Sequence, residues 1–288
     1  MNNSSFNTRF STLCKNISGL SPSLAFTIME IGALPIEGQA EPFHILLDYF
    51  PGSRIIAFET DEALCADLNA KMTRKIQFYP MALGDDEQER TFYETNHPMC
   101  CSLYKPNEEL LRIYTNLDVA LLKSVGTIRT MRLDDFVAQH DIDDVDFIKI
   151  DIQGAELDVF KGGVKTLQDV VFIVSEVEFI PLYLDQPLFG DVCGFLAEQD
   201  LMFHKFIGLA GRTIKPIVMN NDPNYPSQHM WSDAIYIKNI TRLSTLAPDK
   251  LLKMGILSFR YGSPDLAFFC FKIYDEKNST KIAHEVFR

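Results

Sequence analysis

The amino-acid sequence predicts an α/β fold, in which a mostly parallel sheet carries helices on both faces. The first observation is a series of short apolar runs rich in Val, Ile and Phe, separated by segments with helical spacing. The second is that acidic residues stand where several runs end, as at Glu30, Glu59 and Asp151. Because open α/β sheets bind ligands at the carboxyl ends of their strands, these residues predict a binding site along that edge.

The composition limits the class of protein. A chain of 288 residues is long enough for one α/β domain with an appendage. Its formal net charge of −12 argues against a nucleic-acid-binding surface, which needs clustered Lys and Arg. None of the six cysteines forms a CxxC pair, so we expect reduced thiols. No run approaches the ~18 apolar residues of a membrane span, and the first residues lack a signal-peptide core, which predicts a soluble, cytoplasmic protein.

The first half of the chain predicts three strands. They are expected at residues 24–31, 54–58 and 76–79, and Asp61 is placed to cap the helix after the second strand. Gly32 follows the first strand in a turn that leads to a helical pattern. Glycine lets the backbone approach a ligand without a Cβ atom in the way, so this turn is a candidate binding loop.

The second half predicts further strands and a helical end. Residues 107–125 predict a helix, because Leu and Tyr recur there. Strands are expected at residues 146–151, 170–177 and 231–237, and two helices after residue 241. The chain thus divides into a flexible lead or short docking helix (1–22), an α/β domain (23–240) and a helical extension (241–288), which we expect to pack on the core or on a second copy of the chain.

Asp151 stands between a buried strand and the helix that follows it. Lys149 precedes it by two positions, so both side chains point to the same face if the strand continues that far. Two interpretations remain open. The carboxylate either faces a ligand at the carboxyl end of the strand, or caps the helix that begins near Ala155.

A second pair of acids ends the next predicted strand. Glu176 and Glu178 share a face by the two-residue period of a strand, and we expect one or both to lie beside Asp151. Neighbouring carboxylates raise each other's pKa and can act as a general base or bind a metal. Glu178 is nearer the strand end and is the preferred candidate, with a polar strand end held by a structural hydrogen bond as the alternative.

The octet Lys149-Ile-Asp-Ile-Gln-Gly-Ala-Glu156 resembles the signature of the FkbM-type methyltransferases, which use S-adenosylmethionine (SAM). The resemblance implies the Rossmann-like class I methyltransferase fold, with a mostly parallel seven-stranded sheet. It extends in order over roughly residues 28 to 238. The further matching segments are residues 54–59, 82–85, 178–183, 186–189 and 231–236.

The resemblance also implies residues that hold the cofactor. Glu30, Gly32 and Ala33 would lie near the amino acid part of SAM. The turn is longer than in the family, and its next glycine is Gly38. Glu59 would accept hydrogen bonds from the ribose hydroxyls, a role that an acid at the end of a second strand also has in Rossmann-like sites. A solvated strand end is the alternative for Glu59.

Further candidates lie after the third strand. Ala82, Leu83 and Asp85 match the segment that contacts adenine in related enzymes, and Asp85 could equally be a turn residue. His97 stands in a non-periodic loop that corresponds to a segment near the pocket of the family. It is a candidate for the catalytic rim, although a loop histidine is more often merely exposed.

The resemblance implies methyl transfer from SAM, and we expect O-methylation of a small or sugar-like hydroxyl acceptor. Asp151 would orient cofactor or acceptor, and Glu178 or a histidine such as His97 would take the proton. Asp151 and Glu178 also offer oxygen ligands that suit Mg²⁺, although no spacing requires a metal. The alternative is an inactive SAM-binding relative that acts as an interaction module through its helical tail. A dehydrogenase is disfavoured because no GxGxxG follows the first strand.

Overall fold

A twisted sheet with helices on both faces forms the centre of the molecule. The computed structural model describes residues 3–35, 40–72 and 75–286. Their strands are β1 (Thr27–Ile31), β2 (Arg54–Glu59), β3 (Ile76–Pro80), β4 (Ala82–Gly84), β5 (Glu89–Thr95), β6 (Leu122–Arg132), β7 (Phe147–Ile150), β8 (Phe172–Glu178), β9 (Leu201–Arg212) and β10 (Gln228–Lys238). Their helices are α1 (Asn3–Leu20), α2 (Leu46–Tyr49), α3 (Glu62–Lys71), α4 (Glu108–Leu111), α5 (Leu133–Gln139), α6 (Glu156–Gly162), α7 (Phe189–Glu198), α8 (Pro248–Arg260), α9 (Pro264–Asn278) and α10 (Ile282–Val286).

The strand order confirms the predicted fold class. The described residues form a seven-stranded sheet in the order β3-β2-β1-β7-β8-β10-β9. The first five of these strands are parallel, whereas β10 runs antiparallel to both of its neighbours. A smaller sheet, in the order β4-β6-β5, lies beside it. The parallel strands are buried on both faces, which explains their nearly continuous apolar sequences.

Alternate residues of the sheet face two different hydrophobic cores. Phe147 and Phe172 point into the first core, which is completed by α1, α2 and the C-terminal helices. Ile148 and Ile173 point into the second core, where α5, α6 and α7 cover the sheet. The two-residue period of the strands therefore assigns each side chain near the functional edge to one face.

The C-terminal helices pack on the sheet. Residues 251–259 of α8 are buried, and an added Cβ on Gly255 would lie 2.4 Å from the ring of Phe271 in α9. The Lys253 ammonium lies 2.8 and 2.9 Å from the two carboxylate oxygens of Asp146, which is fully buried at the start of β7. This ion pair fixes α8 to the first core.

The N-terminal segment forms a helix, α1, in contact with the same core. Phe10 is fully buried, and the ring of Phe6 stacks on Phe259 of α8 at 5.6 Å between centroids. Within the described ranges, no helix has the length and apolar content needed to cross a membrane. All six cysteines have free thiols in the structure.

The helix predicted over residues 107–125 is wrong. In that range α4 covers four residues, a 3-10 turn covers Asp118–Ala120, and β6 begins at Leu122. The apolar side chains of this segment pack instead in a small cluster with Tyr183 and Met230. Because those partners are distant in sequence, the apolar residues are placed by a folded-back loop and not by helical spacing.

Candidate active site

Polar side chains replace the apolar ones where the strands reach the carboxyl edge of the sheet. The register places Glu30 of β1 beside Lys149 of β7, and Asp233 of β10 beside Glu176 of β8. All four point to the face of the first core, because they alternate with residues of the second core. The predicted acids therefore meet along one edge of the sheet.

Lys149 lies between the carboxylates of Asp151 and Asp233. Its ammonium lies 3.2 Å from Asp233 Oδ1 and 3.7 Å from Asp151 Oδ2, which confirms that Lys149 and Asp151 share a face. Burial alone would lower the pKa of Lys149, but the charges of Asp151, Asp233 and Glu176 outweigh it and raise the pKa. Lys149 is therefore a permanent cation that orients the Asp151 carboxylate.

Gln153 joins Asp151 to Glu176. Its amide nitrogen lies 2.9 Å from Asp151 Oδ1 and 2.5 Å from Glu176 Oε2, and its amide oxygen lies 2.9 Å from the Tyr183 hydroxyl. Its φ of 58° is in the left-handed region, which non-glycine residues adopt at a cost. The helix-cap interpretation of Asp151 is wrong, because α6 begins at Glu156 and its N-cap residue is Ala155.

Three more carboxyl groups are crowded beside Asp151. Burial, then the charges of Asp151 and Glu178, raise the pKa of Glu176 well above its ordinary value. Burial, then the charges of Glu156 and Asp151, raise the pKa of Glu178 in the same direction. Glu178 is only 2 % exposed, whereas Glu176 is partly exposed beside Asp151. A proton shared within this group would relieve the repulsion.

Glu156 holds the loop that carries Asp151. Its carboxylate accepts hydrogen bonds from the backbone nitrogens of Ile152, at 2.8 Å, and Gly154, at 3.0 Å. Burial raises its pKa to about 7, and the Asp151 charge adds to that shift while the backbone donors oppose it. The acid that ends the signature octet is therefore a structural element of the site.

The turn after β1 packs directly on the Asp151 backbone. Gly32 has a φ of 81°, and a Cβ atom placed on it would lie 1.9 Å from the carbonyl oxygen of Asp151. The nitrogens of Gly32 and Ala33 both donate to the carbonyl of Phe58 at 3.0 Å. Glu30 lies 3.1 Å from the His44 ring nitrogen. Gly38 lies outside the described residues.

Glu59 ends β2 beside this turn. Its Oε1 accepts hydrogen bonds from Thr60 N at 2.7 Å, from Thr60 Oγ1 at 3.1 Å and from Asp61 N at 3.3 Å. These donors fix the carboxylate at the strand end, and Asp61 caps α3 as predicted. An acid at the end of β2 beside a glycine turn at the end of β1 matches the arrangement of Rossmann-like sites, and the roles of Glu59 and Gly32 toward SAM stay predictions.

The segment after β3 lies beside a second ion-pair cluster. Ala82 and Leu83 are buried in β4. The Asp85 carboxylate lies 3.7 Å from the Arg90 guanidinium, which also lies 3.1 Å from the buried Asp158. Asp85 is therefore held by Arg90, and its role toward adenine stays a prediction.

His97 lies in an exposed loop. Its Nδ1 accepts a hydrogen bond from Met99 N at 3.3 Å and so caps a 3-10 turn, and its role at the catalytic rim stays a prediction. Nearby Ser102 is fully buried and donates to the carbonyl of Gln153 at 2.6 Å.

Throughout the described part of the chain, no group of three or more His, Cys, Asp or Glu residues is arranged to hold a metal ion, so nothing supports Mg²⁺ at Asp151 and Glu178.

Sequence reasoning missed several residues of this site. Gln153, Tyr183 and Glu156 all lie in segments that matched the family, but none was assigned a role. Their signal was present in those segments, since polar residues beside a strand-end acid are candidates for its hydrogen-bond partners. Gln186 does not adjoin a strand-end acid in the sequence, so nothing there indicated its role. Its buried amide nitrogen lies near Glu178 but does not form a hydrogen bond of ordinary geometry.

This fold and site define the Rossmann-like α/β class with a ligand site at the carboxyl edge of its sheet. The family description "Methyltransferase FkbM domain" matches residues 30–201, more than half of the chain. The chain belongs to this family of methyltransferases. It is 26% identical over 162 residues to the "2-O-methyltransferase NoeI" of Sinorhizobium fredii (strain NBRC 101917 / NGR234). That match covers 53% of this chain and 62% of the relative.

Two solved structures align with this chain at low similarity. The magnesium protoporphyrin IX methyltransferase of Synechocystis PCC 6803, crystallised with bound SAM, aligns at a TM-score of 0.34 and 6% identity, over 81% of this chain and 79% of that chain. A methyltransferase-like protein of Thermoplasma acidophilum aligns at a TM-score of 0.33 and 10% identity, over 74% and 68% of the two chains. Similarity at this level does not bear on substrate or mechanism.

Proposed function

We propose that this protein is a SAM-dependent methyltransferase that O-methylates a hydroxyl group of a small or sugar-like acceptor. The observation that carries the proposal is the network of Lys149, Asp151, Gln153 and Glu176 at the carboxyl ends of adjacent strands. Family membership supports the methyl transfer, and the name of the relative, a 2-O-methyltransferase, supports a hydroxyl acceptor.

The residues of the turn and of β2 would hold the cofactor. The Glu59 carboxylate would accept hydrogen bonds from the ribose hydroxyls at its unoccupied oxygen positions. The Gly32–Ala33 turn, together with Glu30, would bind the amino acid portion of SAM. Ala82, Leu83 and Asp85 line the adenine side. When bound, SAM supplies an electrophilic methyl group on a sulfonium.

The carboxylates would handle the acceptor and its proton. Asp151 is fixed by Lys149 and Gln153, so it can orient the acceptor hydroxyl without reorganising. Glu178 is the predicted base, and Glu176 is better exposed for that role. Because their pKa values are raised, either carboxylate is a stronger proton acceptor once ionised than an ordinary surface acid. His97 remains a candidate at the rim.

The interaction-module alternative is less well supported. It needs the C-terminal helices to present a free surface, but residues 251–259 of α8 are buried against the sheet and α9. That face of α8 is therefore not available to a partner. Self-association through the exposed side of α9 stays a prediction.

Calorimetric titration with SAM, followed by a methyl-release assay over a panel of hydroxyl acceptors, tests the proposal. Asp151→Asn should bind SAM and lose about 10²–10⁴-fold in turnover if the carboxylate orients the reaction. Glu198→Gln, on an exposed position of α7, is the matched control and should retain full activity. Absence of SAM binding by the unmodified protein would refute the proposal, and binding without turnover on any acceptor would favour the interaction module.

A further inference from the structure

A cavity of about 300 Å³ opens beside Lys149, on the side of the site away from Glu59. Its polar lining consists of Glu41, Lys149, Asp233, Arg260 and Tyr261. The volume is at the lower end of the range for small-molecule sites and equals the space of about ten water molecules. A single ring with its substituents is therefore the size of ligand that this cavity accepts.

The charged residues of the lining come from four separate segments. Lys149 comes from β7, Asp233 from β10, Glu41 from the segment after β1, and Arg260 from the end of α8. Arg260 is immobilised, because its Nε donates to the carbonyl of Pro42 at 2.7 Å and its guanidinium lies over two aromatic rings of α1. One wall therefore comes from the C-terminal helices, beyond the residues 30–201 that match the family.

The cavity adjoins the proposed reaction centre. Lys149 lines it and lies 3.7 Å from the Asp151 carboxylate, so a ligand that contacts Lys149 is one side chain away from Asp151. Gly32 and Glu59, which would hold the cofactor, do not line this cavity. The space is thus separate from the cofactor portion of the site and positioned for the second reactant.

The charges of the lining are balanced. Two carboxylates, Glu41 and Asp233, stand with two cations, Lys149 and Arg260. Burial, then the charges of Glu41 and Asp233, raise the pKa of the Tyr261 hydroxyl, which stays a neutral donor. A charged ligand would disturb this balance, whereas a hydroxyl group both donates and accepts and can bond to ammonium and carboxylate together.

Apolar atoms make up most of the surface of this cavity. Val174 and Ile207 lie beside the polar groups in the cavity lining. A ligand with one polar and one apolar side matches such a lining, and a pyranose ring combines hydroxyl groups at its edge with C–H groups on its face. A sugar phosphate does not fit this lining, because both of its cations already have partners. Lys149 pairs with the Asp233 carboxylate, and Arg260 donates to a backbone carbonyl.

We propose that this cavity is the acceptor subsite and that it takes a neutral, hydroxyl-rich ring such as a glycosyl residue. The assignment rests on the proposed methyltransferase function. It makes Asp233 and the α8–α9 turn specificity determinants for the acceptor, while the cofactor is held elsewhere.

The test uses the full chain saturated with S-adenosylhomocysteine, the demethylated form of SAM. Binding of methyl glycosides of neutral hexoses and 6-deoxyhexoses is measured by saturation-transfer NMR, with hexose 6-phosphates as the charged comparison. Ile207→Trp should fill the cavity, and Asp233→Asn should remove one polar anchor while keeping its shape. Both variants should weaken glycoside binding at least tenfold and leave SAM affinity, measured by calorimetry, within about twofold of the unmodified protein.

Asp135→Asn, at an exposed position on α5, is the matched control and should change neither affinity. Glycoside binding that persists in both cavity variants would overturn the location, and equal or tighter binding of sugar phosphates would overturn the neutral class. Failure of every glycoside to bind, with SAM affinity intact, would overturn the subsite proposal and leave the methyltransferase proposal standing. Failure to bind SAM would instead remove the function on which it rests.

Discussion

Replacing Gly32 by alanine should damage both the fold and the cofactor site. The new Cβ atom would lie 1.9 Å from the Asp151 carbonyl oxygen, whereas real contacts of this kind stay beyond 3.0 Å. The two backbones must therefore separate by about 1 Å. Asp151 N donates to the carbonyl of Ile31 at 3.0 Å, so the separation strains the pairing of β1 with β7.

Two energetic terms set the magnitude of the effect. Placing alanine in the left-handed region costs about 1–2 kcal/mol, and overpacking adds about 1–3 kcal/mol. The free energy of unfolding should fall by about 2–5 kcal/mol, which corresponds to roughly 3–8 °C in melting temperature for a chain of this size. SAM affinity should also fall, because both displaced loops line its proposed site.

Thermal denaturation and calorimetric titration with SAM measure the two effects. Gly190→Ala is the matched control, because Gly190 is an exposed residue of α7 and its added Cβ meets no atom within 4 Å. That change should stabilise the protein by about 0.5–1 kcal/mol. The reasoning is refuted if Gly32→Ala melts within about 1 °C (roughly the effect of 0.5 kcal/mol) of the unmodified protein and binds SAM equally well.

Two further predictions concern buried charges. Burial raises the pKa of Glu156 from 4.5 to about 7, so the folded state favours the protonated carboxyl group. The protonated group therefore contributes fully to the unfolding free energy below pH 4.5, and this contribution is lost as the pH rises through 7. In Glu156→Gln, the loss of unfolding free energy between pH 5 and 8 should be smaller by roughly 1–3 kcal/mol, as measured by denaturant titrations. An unchanged dependence of the unfolding free energy on pH would contradict this prediction. Lys253→Met should lower the free energy of unfolding by about 1–3 kcal/mol, because the buried Asp146 loses one of its two ammonium partners and keeps Lys250 at 2.8 Å. Lys272→Met, on the exposed side of α9, should be nearly neutral. Equal stability of these two variants by the same titrations would show that the ion pair does not fix α8.

Most of the sheet could be predicted because a buried parallel strand is a local pattern. The run predicted at residues 54–58 is observed as Arg54–Glu59, and the helices predicted after residue 241 are α8 and α9. Residues 107–125 could not be predicted, because their apolar side chains are buried by Tyr183 and Met230 from elsewhere in the chain. The sequence of one segment does not reveal which distant residues will pack against it.

The sequence by itself determined which acids end the strands and that the chain follows the FkbM pattern, because both are properties of short segments. Only the tertiary structure decided which groups meet. Asp233 reaches Lys149 across 84 positions of sequence, and Gln153 joins Asp151 to Glu176 across strands β7 and β8. Strand order and register set these contacts. Strand order and register depend in turn on how all the helices pack against both faces of the sheet.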